Sequence, residues 1–255
     1  MAGLKFRATF AAMAVYFVSD FHLGEANVER DRLKLERFRR FRTQFAGDLE
    51  HLIILGDLYD FWFEYKHLIP KRNLGILLEL KALAESGVKL SYVCGNHDFW
   101  LMDFIQSEIG CQVYRDSLEL SGGLGRVLVL HGDGVAPSDW KYRLLKGVLR
   151  NRVNIALFKL LPPTLAYGLA HRVSGGSRYF GEEKPTPEFV AEYHDFARRQ
   201  IAAGYRAVVC GHIHWPEIKE IEGGVYVNSG DWINFFSYVR FDGERFELGS
   251  MKPRA

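Results

Sequence analysis

One event repeated five times restricts what this chain can fold into: a short apolar run of strand type stops at a residue that carries chemistry. Leu52–Leu55 gives way to Gly56-Asp57, and Val15–Val18 to Ser19-Asp20-Phe21-His22. Leu90–Cys94 ends in Gly95-Asn96-His97-Asp98, Val127–Leu130 in His131-Gly132-Asp133, and Ala207–Cys210 in Gly211-His212-Ile213-His214. A buried strand delivers such residues to its C-terminal mouth, where open α/β sheets place their sites. A single Asp there reads as a helix cap or turn residue. Recurrence at five strand ends is what turns the reading toward a site.

The chain has 255 residues, which suits one large domain or one domain with a small insertion. A net charge near +2 makes no case for nucleic acid. Cys94, Cys111 and Cys210 are scattered without disulfide or zinc spacing, as in a reducing compartment. The apolar stretch from Phe10 to Val18 is too short for a membrane span and runs straight into Asp20, so its second half reads as the first core strand.

Amphipathic spacing of Leu33, Leu35, Phe38, Phe41 and Phe45 predicts a helix over 28–45. The aromatic run from Tyr59 to Tyr65 either packs on the sheet or walls the site. A helix runs from Pro70 to about Ser86, and another from Phe99 to about Glu108. Gly122-Gly123 marks a hairpin, after which the parallel first half gives way to antiparallel pairing. Residues 139–181 hold helical, apolar and basic segments with no strand, and read as a helical cap. The core is then 13–138 with 182–250. A helix from Pro187 to Ala203 and short strands close the chain.

Asp20, His22, Asp57, Asn96, His131, His212 and His214 form a mixed oxygen and imidazole set converging on one sheet edge. Such donors suit Mn²⁺, Fe²⁺ or Zn²⁺ rather than a thiolate structural zinc. Seven ligands exceed one tetrahedral site. Asp57 can bridge two ions about 3.5–4 Å apart, the geometry used for in-line attack on phosphorus. His51, His67, His171 and His194 lie outside the strand-end motifs.

Asp20-x-His22, Gly56-Asp57, Gly95-Asn96-His97-Asp98, His131-Gly132 and Gly211-His212-x-His214 together resemble the motifs of the calcineurin-like metallophosphoesterases, in family order and over most of the chain. The resemblance implies an α/β fold, a four-layer α/β/β/α sandwich here carrying an inserted helical cap. It implies one ion on Asp20, His22, Asp57 and His214 and another on Asp57, Asn96, His131 and His212, with manganese the expected metal. It implies hydroxide as the nucleophile, His97 as the catalytic group stabilising or protonating at phosphorus, and Asp98 orienting His97.

Ser19–Gly24, Gly56–Phe63, the helical insert and Val227–Trp232 further resemble the UDP-2,3-diacylglucosamine pyrophosphatases of lipid A synthesis. These release UMP and 2,3-diacylglucosamine 1-phosphate. The best-studied branch has Arg where this chain has His97; here the chain is similar to a second branch. Asp139, Tyr142, Ser174, Ser177 and Arg178 fall where that resemblance implies substrate contacts. It also implies a nucleotide-sugar lipid as substrate and a cytoplasmic enzyme in peripheral contact with the inner membrane.

In the insert, Leu144, Leu145, Leu149, Leu157, Leu161 and Leu165 are expected to line an acyl groove. Lys141, Arg143, Lys146, Arg150, Arg152 and Lys159 are expected to face anionic headgroups. A soluble phosphoesterase of another substrate would not need that groove. A non-catalytic scaffold would have lost ligands, and none is missing.

Overall fold

The computed structural model describes residues 14–24, 27–65, 67–169 and 184–253. Strands β1 (Ala14–Val18), β2 (Leu49–Ile54), β3 (Lys89–Val93) and β4 (Gln112–Tyr114) pair in parallel, each with the next. β10 (Ser237–Phe241) joins β1 antiparallel and β11 (Phe246–Ser250) joins β10, completing a sheet of order β11-β10-β1-β2-β3-β4. The second sheet comprises β5 (Ser117–Gly122), β6 (Gly125–Leu130), β7 (Ala207–Cys210), β8 (Glu217–Ile221) and β9 (Gly224–Asn228), in the order β5-β6-β7-β9-β8. Its central pairs β6–β7 and β7–β9 are parallel, and only its edges are antiparallel. The expected switch from parallel to antiparallel pairing is therefore corrected: the first sheet is parallel from β1 to its β4 edge and antiparallel at the β10–β11 margin, and the second has a parallel centre with antiparallel margins. A long crossover between β6 and β7 is what makes that pair parallel.

Period-two side-chain alternation builds the layers. Val15 and Phe17 of β1, Ile53 of β2, Val127 and Val129 of β6, and Ala207 and Val209 of β7 pack between the two sheets. The alternate residues Tyr16, Val18, Leu52 and Ile54 face Phe38 and Phe41 of α1 (Val28–Gln44) and Leu77 and Leu80 of α2 (Leu74–Glu85). On the far side Val208 and Cys210 meet Tyr193 and Ala197 of α7 (Pro187–Ala202). The result is helix, sheet, sheet, helix, with strands buried on both faces. Asn27 caps α1 through Arg30 N, and Thr186 caps α7 with Pro187 at its first turn.

The helix expected from Phe99 is confined to α3 (Phe104–Ile109). Buried Glu64 accounts for this, since its carboxylate accepts Met102 N at 2.9 Å and Phe104 N at 3.2 Å. Trp100 meanwhile bridges to Phe63. The segment after β6 holds α4 (Trp140–Leu149), α5 (Arg152–Lys159) and a helix over 163–169, α6.

Candidate metal centre

The five motif loops meet at the carboxyl ends of strands from both sheets, β1, β2 and β3 of one and β6 and β7 of the other. A single sheet edge, as the sequence reading had it, is thus replaced by a seam between two sheets. Among described residues, seven non-glycine positions have positive φ, and five of them are Asp20 (55°), His22 (47°), Asp57 (51°), His212 (69°) and His214 (54°). Left-handed backbone at non-glycine residues costs energy and collects at functional sites. Here it curls each loop so that its side chain points back over the strand mouth. Buried Lys34 supports one of them, donating to His22 O at 3.3 Å. Close approach fixes two glycines: a Cβ on Gly95 would stand 2.1 Å from Asp57 Oδ1, and one on Gly211 2.7 Å from Asp20 Oδ2.

Three ligand-type groups result among the described residues: two triads drawn from the expected set, Asp20 with His22 and His214 and Asp57 with His131 and His212, and a third that joins His22 to Asp60 and His97. His214 Nε2 lies 3.3 Å and His22 Nε2 3.8 Å from Asp20 Oδ1. His131 Nε2 is 3.4 Å from Asp57 Oδ2, 3.0 Å from Asn96 Oδ1 and 3.2 Å from His212 Nδ1. Asp57 Oδ2 also stands 3.8 Å from His22 Nε2, so this one carboxylate sits between the triads. The structure thus brings together all seven residues of the expected set.

Hydrogen bonds set the imidazoles. His131 Nδ1 donates to Leu55 O at 2.6 Å, which leaves its Nε2 lone pair facing Asp57. Asp20 Oδ1 and both ring nitrogens of His22 are buried with no hydrogen-bond partner. Without a metal, the carboxylates draw protons onto two of the rings in place of a cation. Burial would lower the His131 pKa, but the Asp57 charge outweighs it and raises it to about 10. Burial is likewise outweighed at His214 by Asp20 and Asp231, giving about 10. His212, buried beside His131, is pushed down to about 4. Burial disfavours the ionised Asp57, yet neighbouring His131 and His97 hold it well below the usual carboxylate range. Buried carboxylates and inward lone pairs at this spacing call for cations, so the donor set fits divalent metal.

His97 lies beside this centre, its ring 4.6 Å from that of His22. Its Nδ1 donates to Asp60 O at 2.7 Å, and its amide donates to Asp57 Oδ1 at 2.9 Å. The expectation that Asp98 orients His97 is corrected. The buried Asp98 carboxylate instead accepts from Gly95 N and Leu58 N, each at 2.9 Å, and from the Tyr92 hydroxyl. Asp98 therefore shapes the loop that carries Asn96 and His97. Burial and then the Asp57 charge raise its pKa to about 6.

Tyr142 is brought to the site, its ring 6.1 Å from that of His212 and its hydroxyl donating to Asp133 Oδ2 at 2.8 Å. Asp139 stands just before α4, and burial raises its carboxyl pKa. Ser174, Ser177, Arg178 and His171 lie outside the described residues. The expected ligand set left out Asp60, Asp133 and Asp231, each a buried acid beside the centre, although Asp133 stood within a strand-end motif. All three sit a few residues beyond a strand end, the same signal that found the others.

The expected roles of the insert are corrected. Lys146 and Arg150 reach back to Asp133 at 2.7 and 3.2 Å, and Arg143 donates to Pro137 O at 3.1 Å, so these cations hold α4 to the core. Leu144, Leu157 and Leu165 face outward instead of lining a groove. The side chain of Leu145 lies outside the described residues. An apolar groove of about 500 Å³ is walled by other residues of the insert, Phe158, Ala166 and Tyr167, on one side and by Phe61, Phe63 and Tyr65 on the other. Within the aromatic run, Tyr59 and Trp62 enter the core as the packing reading expects, while Phe61 and Phe63 line this groove.

The model of the calcineurin-like phosphoesterase family matches residues 13–216. The chain belongs to that family and is a metal-dependent hydrolase. It is 30% identical over 262 residues to a UDP-2,3-diacylglucosamine hydrolase of Porphyromonas gingivalis, spanning 93% of this chain and 97% of that one. Enzymes of the same name are similar to it in Neisseria meningitidis (29% identity, 90% of this chain and 94% of that one) and in Haemophilus ducreyi (29%, 92% and 99%).

Proposed function

We propose that the chain hydrolyses the pyrophosphate of UDP-2,3-diacylglucosamine to UMP and 2,3-diacylglucosamine 1-phosphate, using two divalent ions, manganese first among the expected metals. Asp20, His22 and His214 would hold one ion, Asn96, His131 and His212 the other, with Asp57 shared. When bound, the ions supply charge neutralisation at the phosphoryl oxygens and an acidified water. The protein's own part is to fix the donors through strained loops and to place His97. Held through Nδ1 by Asp60 O, His97 would stabilise the phosphoryl group or protonate the departing phosphate. Tyr142 and Asp139 are the substrate contacts on the α4 side.

The observation that carries the lipid assignment is the aromatic groove. It includes Phe61, one residue beyond Asp60, whose carbonyl holds His97, and the proposed acyl chains would run from the reacting phosphate into it. Each CH₂ buried there contributes about 0.8 kcal/mol. Names shared by the relatives support the same substrate. Outward Trp140, Leu144, Leu157 and Leu160 support peripheral contact with the cytoplasmic face of the inner membrane. No described helix is long and apolar enough to cross a membrane.

The test is turnover of purified, Mn²⁺-loaded protein on UDP-2,3-diacylglucosamine, UDP-glucose and an aryl phosphodiester. The reading expects UMP release from the diacylated substrate alone at high efficiency. Equal efficiency on UDP-glucose would overturn it.

A further inference from the structure

We propose that Asp231 is a positioning residue that sets the tautomer and orientation of His214, and that the turn carrying it clamps the Asp20–His22 loop against the His214 loop. The inference rests on the metal-ligand reading of Asp20, His22 and His214 given above.

The turn lies in the connection from β9 to β10, where the chain crosses from one sheet to the other over the seam that holds the centre. It grips both sides. Toward β1, Ser229 Oγ meets Ser19 Oγ at 2.7 Å, Gly230 O accepts from Ser19 Oγ at 3.0 Å, and Trp232 N donates to Asp20 O at 3.1 Å. The Trp232 ring stacks on Phe21, between Asp20 and His22, at 4.4 Å and 10°. Toward β7, Ser229 N donates to Cys210 O at 2.8 Å.

Asp231 is fully buried, and its two oxygens have different work. Oδ1 accepts Ile233 N, Asn234 N and Phe235 N at 2.9, 2.6 and 2.8 Å, which closes the turn and fixes the carboxylate. Oδ2 makes no hydrogen bond, and neither does His214 Nδ1; both are buried, and they stand 3.6 Å apart. A small ring rotation closes that gap. A carboxylate there requires a proton on Nδ1 and so turns the Nε2 lone pair toward Asp20, 3.3 Å away. The arrangement is a carboxylate–histidine pair built onto one triad. Its counterpart in the other triad uses a carbonyl, Leu55 O on His131 Nδ1.

Asp231→Asn isolates the role. Asn Oδ1 can still accept the three amides, so the turn is retained. Its NH₂ now faces Nδ1 as a donor, which favours the opposite tautomer and points an N–H at the metal position. Titration of metal-free protein with Mn²⁺, read by calorimetry, should give two ions for the parent. The variant should keep one and bind the other roughly 10–100-fold more weakly. Nitrogen NMR of protein loaded with diamagnetic Zn²⁺ should show the His214 proton on Nδ1 and the metal on Nε2 in the parent, and that pattern lost in the variant, a change that a merely structural residue would not produce. Parent protein that binds fewer than two ions overturns the metal reading instead. Two ions at parental affinity in Asp231→Asn, or an unchanged His214 tautomer, overturns this proposal whatever the variant's melting temperature.

Discussion

The strand mouths and the helical insert are neighbours in space, yet they treat their side chains in opposite ways. At the mouths, backbone is strained and the ligand-type groups are buried or half-buried and aimed inward. In the insert, helices of ordinary geometry turn leucines outward, Leu144 being 68% and Leu160 79% exposed, while the cations reach inward. A site that concentrates charge needs a rigid scaffold to hold its donors together. If the insert meets lipid as proposed, it needs only an apolar face and a tether, here Asp133. The first region should therefore fail catalytically when one atom is removed. The second should tolerate change everywhere except at its tether.

The largest expected effect breaks the first region. Asp57 is the one carboxylate between both triads, so Asp57→Ala should abolish turnover and lower bound metal more than His22→Ala does. Two ions retained by metal analysis in Asp57→Ala would refute the shared role. Next comes His97→Ala, which should keep both ions and lose roughly 10²–10⁴-fold in kcat. Turnover within a few fold of the parent would remove His97 from the chemistry.

Much of the first region was legible because strand ends are marked twice, by the stop of an apolar run and by the residue that follows. The core strands, the covering helices and the seven residues that the structure brings together could be read that way, but the division of the strands into two sheets could not. What stayed hidden depends on which way a side chain or strand turns once packed. Nothing local to 125–130 says that β6 will lie parallel to β7, since that follows from the crossover. Asp98 looks like a partner of its neighbour His97 until Tyr92 and two amides claim it. The insert was legible as helix and misread as surface. Its basic residues pair with acids distant in sequence, and a helical stripe of leucines has the same spacing whether it faces a groove or solvent.

The tether gives the next effect. Asp133 gathers Tyr142, Lys146 and Arg150, three positions four residues apart on one face of α4. Asp133→Ala should destabilise the fold by about 1–3 kcal/mol and leave cations of α4 without their partner. Limited proteolysis should then cut within 140–169 before the core, and uniform cleavage would deny the tether.

β2 supplies an internal control, because His51 lies toward the opposite end of the strand from Asp57. It bonds Ser91 Oγ at 2.9 Å, and burial, then the nearby Lys89 charge, depress its pKa to about 3. The folded form keeps this ring neutral while the unfolded form protonates near 6.5. Its contribution to stability is whole above 6.5 and is lost as pH falls toward 3, by about 1.4 kcal/mol per unit. Denaturant midpoints of metal-free protein should fall less steeply between pH 6.5 and 4.5 in His51→Gln than in the parent. Parallel slopes would show that another group carries the acid limb.

The smallest effect on stability belongs to the outward leucines, and it separates a lipid-facing surface from a packed one. Leu157 is 58% exposed, so Leu157→Asp removes little buried area and should shift stability by no more than about 0.5 kcal/mol. Turnover of a soluble aryl phosphodiester should also hold, because Leu157 does not line the aromatic groove. Binding to vesicles containing anionic lipid should weaken, since an apolar contact has become a charged one that the interface repels. A loss of stability near the 2–5 kcal/mol typical of a core leucine would mean that Leu157 is packed against protein. Unchanged vesicle binding would move the membrane face to another part of the molecule and leave the groove as the only apolar surface with a part in the reaction.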